Sequence, residues 1–169
     1  MHLFRAGDLM IPLDKYPHIP YWHTLRQALA ELERAIFSVG EHRSLARVVL
    51  VFDEEYRLLG LVRRRDILRG LEPDFLRRFL PESPGTDRIE IPAQLLATVK
   101  SNIEKKVSDV MVRIEEAVDI NDTIVDVSHM IVDRDVALVP VTREGEVVGV
   151  IRTVEILHEV ARILEQDKG

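Results

Sequence analysis

Two acidic residues stand where the chain's patterning switches from strand to helix. One is Asp66, in Gly60-Leu61-Val62-Arg63-Arg64-Arg65-Asp66-Ile67-Leu68. The other is Glu155, in Gly149-Val150-Ile151-Arg152-Thr153-Val154-Glu155-Ile156-Leu157, the same stretch 89 residues later. A carboxylate at such a join can accept hydrogen bonds from both hydroxyls of a ribose, and charged acceptors form the stronger bonds. The N–H groups of the adjoining helix start suit a phosphate. Ordinary helix chemistry competes with this reading, because any helix favours an acid in its first turn. Arg63, Arg64 and Arg65 can likewise reach a phosphate or form a solvated strand end.

Other chemistries find less support. The chain has no cysteine, so disulfides and thiol catalysis are excluded. The six histidines form no HxxxH pair, and no metal is expected. No Ser-His-Asp set, P-loop or GxGxxG occurs, and scattered carboxylates do not make an acid–base pair, so the chain is not expected to be an enzyme. A net charge of −6 argues against nucleic acid. The longest apolar run, Val48 to Phe52, is far short of a membrane span, and the N-terminus lacks a secretory h-region. A soluble cytoplasmic protein is the expectation.

The elements that position the two joins repeat. Thr24 with Gln27 is a capping box that opens a helix carrying Leu25, Ala28, Leu29, Leu32 and Ile36. Ser38 to Ser44 reads as a loop. Arg47 to Phe52 is a β-branched strand, Asp53 to Tyr56 a hairpin turn, Leu58 to Arg63 the returning strand, and Asp66 opens a helix. Trp22 is expected to pack on the core. Later in the chain, Thr123 or Asp122 caps a helix with Ile124, Val127 and Ile131. Ala137 to Val141 and Val147 to Arg152 form a second hairpin, and Glu155 opens the closing helix. Lead-ins Ala6-Gly7-Asp8-Leu9-Met10 and Val107-Ser108-Asp109-Val110-Met111 match. Between lead-in acid and join acid the first copy is longer by 12 residues, 2 before Thr24 and 10 near Ser38 to Arg47. Insertions of that kind are cheap in loops. Residues 1–70 and 107–169 are read as the repeats. Residues 71–106 form a structured linker, with one short helix after Pro73 and another from Ala93 to Lys106, whose Lys105 and Lys106 complement its dipole.

Val-Ser-Asp-Val-Met, Leu-Val-Pro-Val and Gly-Val-Ile-Arg-x-x-Glu-Ile-Leu, in that order and in two copies, resemble the CBS domain (the cystathionine-β-synthase regulatory domain). The resemblance implies an α/β (α+β) fold. Its two β-α-β-β-α repeats would pack sheet to sheet with pseudo-twofold symmetry, and the pairs would dimerise through helices. It implies an adenosyl ligand in the clefts between repeats: AMP, ADP, ATP or S-adenosylmethionine. The expected ligand residues are Asp66, Arg63 and Arg65 in one repeat and Glu155 and Arg152 in the other, with Ile19 and Val118 as walls for adenine. The family pattern has Thr or Ser where this chain has Arg63 and Arg152. Such an arginine can bind phosphate bidentately or fill the cleft. With no effector domain, the chain reads as a regulatory module acting on a separate effector protein; a ligand-free dimerisation module is the alternative. Asp66, one methylene shorter than Glu155 and flanked by more arginines, marks the expected dominant site.

Overall fold

The computed structural model describes residues 3–34, 36–39, 42–72 and 93–168. The expected short helix at Phe75 to Leu80, and its apolar side, lie outside them. In chain order the elements are α1 (Ala6–Leu9), β1 (Ile11–Pro12), β2 (His18–Pro20), α2 (Leu25–Arg34), β3 (Ile36–Val39), β4 (His42–Leu45), β5 (Val48–Phe52), β6 (Leu58–Arg63), α3 (Arg64–Leu71) and α4 (Ala93–Asn102). They continue with β7 (Val112–Arg113), β8 (Val118–Asp119), α5 (Ile124–Arg134), β9 (Leu138–Arg143), β10 (Glu146–Arg152) and α6 (Thr153–Gln166). Single 3-10 turns cover Leu13–Lys15 and Val107–Asp109.

Two four-stranded sheets share one topology. Their strand orders are β2-β5-β6-β7 and β8-β9-β10-β1. In each, a short strand runs parallel to the first strand of a hairpin, and the hairpin is antiparallel. The fourth strand is exchanged. Lead-in β1, from the start of the chain, pairs with β10, while β7, which follows the second lead-in, pairs with β6. The compact units therefore cut across the sequence repeats. The Asp66 unit comprises Pro17–Ile36 and Ser44–Arg113; the Glu155 unit comprises Met1–Tyr16, Phe37–Arg43 and Ile114–Gly169.

This exchange explains the glycine that opens each repeated stretch. A Cβ on Gly60 would lie 2.4 Å from the Val112 carbonyl oxygen, and one on Gly149 would lie 2.6 Å from that of Ile11. No side chain fits where the exchanged strand crosses. The core of the Asp66 unit includes Ile19, Leu25, Leu32, Val49, Val51, Val62 and Val107. That of the Glu155 unit includes Ala6, Val118, Val127, Val139, Val141 and Ile151. The lead-in residues Ala6 and Val107 are both fully buried, so each exchanged segment anchors itself apolarly.

Local chemistry accounts for most boundaries. Thr24 and Gln27 form the capping box, with Thr24 N donating to Gln27 Oε1 at 2.8 Å. Thr123 and Asp126 do the same for α5. Three expectations need correcting. Helix α2 stops at Arg34, and Ile36, expected on its apolar stripe, begins a strand, because Ile36-Phe37-Ser38-Val39 favours extended backbone. The segment read as a loop forms strands β3 and β4 of a separate two-stranded sheet. The helix expected to reach Lys106 ends at Asn102, so Lys105 lies past it: its ammonium donates to the Gly70 carbonyl at 3.3 Å, and Asn102 Nδ2 donates to Leu71 O at 3.3 Å, so both cap the end of α3.

Candidate functional site

At the β6–α3 join the acid is the third residue of the helix. α3 begins at Arg64, Arg63 is its N-cap, and Asp66 sits at the third helical position. Arg63 N donates to Asp66 Oδ2 at 2.9 Å, which satisfies a backbone donor that a helix start leaves unpaired. The Arg63 side chain folds onto the same carboxylate, with Nε on Oδ2 at 2.8 Å and Nη2 on Oδ1 at 2.9 Å. Arg69, one turn later, also donates to Oδ1. Four donors thus fill the roughly four acceptor positions of a carboxylate. Asp66 is 0% exposed. Burial alone pushes its carboxyl up, but the hydrogen bonds from Arg63 and the charges of Arg63 and Arg69 outweigh that and hold it below the usual carboxylate range.

The β10–α6 join repeats the arrangement more tightly. Arg152 N donates to Glu155 Oε2 at 2.8 Å. The Arg152 Nε lies 3.0 Å from Oε2 and 3.1 Å from Oε1, and its Nη2 reaches Oε1. The extra methylene of Glu155 lets the carboxylate fold back and meet the guanidinium. Both partners are buried. At the other join the Arg63 side chain is 37% exposed. The two arginines that replace a hydroxyl in the family pattern therefore do one thing first: each neutralises its own acid. The spacing already carried that signal, since a residue and an acid three positions on, across a strand-to-helix switch, is capping-box geometry.

The remaining expected residues fall as follows. Arg65 is exposed and makes no hydrogen bond or ion pair among the described residues. Arg64 donates to Leu32 O at 3.2 Å. The side chains of Ile19 and Val118 are buried in the two cores, so only the outer backbone of their edge strands is open to a ligand. Register also separates them from the joins. Ile19 pairs with Val51, which pairs with Gly60, three residues before Arg63. Strand spacing then puts Ile19 and Arg63 roughly 14 Å apart. Val118 stands in the same relation to Arg152 through Val141 and Gly149. Trp22, expected in the core, is 45% exposed.

At the hairpin end of the Glu155 unit, away from its join, lies an open polar pocket of about 690 Å³. It is lined by Arg5, Asp8, Asp119, Asn121, Arg143 and Glu144, with Gly7 and Ile120. Arg5 is held there by donating from Nη1 to Asn121 O at 2.6 Å. None of these residues was singled out from sequence as a ligand, because scattered polar turn residues carry no periodic or spacing signal. Among the described residues no group of acids and histidines is arranged to hold a metal, and no helix is long and apolar enough to cross a membrane.

The exchanged lead-ins, the duplicated sheet order and the paired strand-to-helix joins define a tandem-repeat α/β protein. The family model for the CBS domain matches residues 7–73 and 107–162, and the chain belongs to that family. Solved structures share the fold. "CBSX2 in complex with AMP" aligns with a TM-score of 0.63 at 17% identity, over 95% of this chain and 98% of that one. A CBS domain-containing protein of unknown function from Bacillus anthracis aligns with a TM-score of 0.66 at 22% identity, over 94% of each chain. The cytosolic domain of the Mg2+ channel MgtE, in complex with ATP, aligns with a TM-score of 0.60 at 21% identity, over 92% of this chain and 48% of that one. No curated protein matches the sequence.

Proposed function

We propose that the chain is a regulatory module that binds an adenine nucleotide at the Asp66 join and acts on a separate partner protein. Family membership and the likeness to proteins solved with AMP and with ATP support this reading. The observation that carries it is a local excess of positive charge. Arg63 and Arg69 both donate to one carboxylate, and Arg64 and Arg65 stand in the same first turn of α3, within a chain of net charge −6. Arg65 has no partner among the described residues, and Arg63 is part exposed. Guanidinium groups beside a helix N-terminus suit a phosphorylated ligand. The buried Arg152–Glu155 pair offers no comparable access, so one dominant site per chain is expected. A ribose would reach Asp66 only by displacing an arginine, so phosphates supply the first contacts and selectivity runs toward phosphorylated ligands over adenosine. A thermal-shift screen with AMP, ADP, ATP, S-adenosylmethionine and NAD tests this. A ligand at 100 times its Kd should stabilise by about 2.7 kcal/mol. No shift with any of them would overturn the nucleotide reading.

A second reading, a dimerisation module without ligand, is favoured by the saturation of both carboxylates. It also draws on the apolar outer faces of α5 and α6, where Val125, Val132, Leu157 and Leu164 are exposed. A homodimer through helices belongs to both readings. Light scattering that gave a monomer mass at micromolar concentration would count against it.

A further inference from the structure

The hairpin end of the Asp66 unit carries an aromatic cluster that its duplicated counterpart lacks. Aromatic residues are only 5% of the chain. Yet Tyr21, Trp22, Phe52 and Tyr56 gather there with His18. The Phe52 and Tyr56 rings stack with centroids 4.7 Å apart and 12° between planes. His18 meets both edge-on, at 5.7 and 5.6 Å, and its Nε2 shares a 3.1 Å hydrogen bond with the Tyr56 hydroxyl. Tyr21 N donates to Phe52 O at 2.9 Å, and the Tyr21 ring meets Trp22 edge-on at 5.3 Å. Phe52 is buried, but Trp22 is 45% and Tyr56 52% exposed. Rings arranged to hold one another while showing faces to water resemble the anchor residues of interfaces.

The backbone shows that the ring at position 56 is kept against a cost. Tyr56 has φ 61. In the second repeat the hairpin turn is one residue shorter, and its left-handed positions hold the small or flexible residues Glu144, at φ 51, and Gly145, at φ 82, with no aromatic ring. For a bulky residue that conformation is strained, and such strain concentrates where a side chain has a task. Trp22 likewise lies in the stretch before Thr24 where the first repeat has two residues more than the second.

Charge narrows what such a surface can receive. The adjoining turn carries Asp53, Glu54 and Glu55 against a single cation, Arg57, which is bonded to Asp53 at 2.9 Å and to Glu55 at 3.0 Å. Glu54 accepts from the Tyr21 hydroxyl at 2.6 Å, so a charged acceptor sits at the rim of the aromatic faces. Open π faces beside a carboxylate that forms no ion pair among the described residues select a cation, and a planar guanidinium serves both at once by stacking and by fork-like hydrogen bonding. We propose that this end of the Asp66 unit is a docking surface for an arginine-bearing basic segment of a partner protein. It gives the partner in the regulatory reading a chemical character. Its test uses no nucleotide, so the two can fail separately.

Trp22 is the only tryptophan in the chain, so its emission reports directly on the surface. Titrating the full chain with a tetra-arginine peptide should give a saturable change in that emission. A tetra-lysine peptide should act more weakly and a tetra-glutamate peptide not at all. Anisotropy of labelled tetra-arginine then ranks variants. Glu54→Gln and Tyr56→Gly should each weaken binding by about threefold, the scale of one exposed ion pair and of one exposed cation–π contact respectively. Glu144→Gln, at the other hairpin turn, should bind as wild type. Tyr56→Gly suits its backbone and should keep the melting temperature, which separates binding from folding. Emission that ignores tetra-arginine overturns the proposal, as does unchanged binding by Tyr56→Gly and Glu54→Gln. If Trp22→Ala turns a dimer into a monomer in light scattering, a second copy occupies the surface and the proposal falls.

Discussion

Replacing Arg152 by methionine should be among the most damaging single changes in the Glu155 unit. The side chains of Arg152 and Glu155 are 10% and 5% exposed, and Glu155 takes three side-chain hydrogen-bond contacts from that guanidinium. Arg152→Met leaves the backbone N–H bond to Glu155 but strands a charged carboxylate in a dry site. Breaking a buried ion pair in this way costs about 3–5 kcal/mol. For a chain of this length that is roughly 6–20 °C in melting temperature. Adding Glu155→Gln removes the stranded charge and keeps an amide oxygen for the capping bond. The double variant should therefore return to within about 1 kcal/mol of wild type. Arg63→Met offers an internal comparison. It should cost less, because Arg63 is part exposed and Arg69 still donates to Asp66. Urea unfolding followed by circular dichroism measures all four. A single variant as stable as wild type would refute the account of the pair. A double variant as weak as the single would show that contacts of the arginine other than its pairing with Glu155 were lost.

Arg63→Thr restores the hydroxyl of the family pattern and frees two acceptor positions on Asp66. Adenosine should then bind at least about tenfold more tightly, with less preference for ATP, as read by calorimetric titration of both ligands. Gly60→Ala and Gly149→Ala each drive a Cβ into a backbone carbonyl of the exchanged strand. Each should cost about 1–3 kcal/mol, with faster amide exchange at the exchanged strand it contacts, β7 or β1. Acid sensitivity should trace to Asp66. Its folded pKa is depressed, so its stabilisation is complete above the ordinary aspartate range and is lost as pH falls through the lower folded value. Asp66→Asn should flatten that acid limb of the urea-midpoint curve; an unchanged slope would contradict the assignment.

Much of this chain is legible locally. Thr24 with Gln27, Thr123 with Asp126, the two hairpins and the repeated Gly-aliphatic-aliphatic-Arg stretch are set by neighbours a few residues apart, where capping chemistry and apolar periodicity act. The positions of Arg63, Asp66, Arg152 and Glu155 were likewise readable, as residues able to meet a ligand. Their mutual pairing was not decided there, because an arginine three residues from an acid can face water, a phosphate or that acid. Burial decided it: Asp66 at 0% exposure needs its charge matched on the spot. β1 and β7 are two residues each, too short to carry a pattern, and their partners lie far away in the chain. β3 and β4 were hidden for a related reason, since each is four residues long and the first follows a helical stripe with no breaker before Gly40. Only tertiary structure could assign each lead-in to the other repeat's sheet. The choice rests on a buried anchor at Ala6 or Val107 and on a glycine that leaves room for the crossing strand.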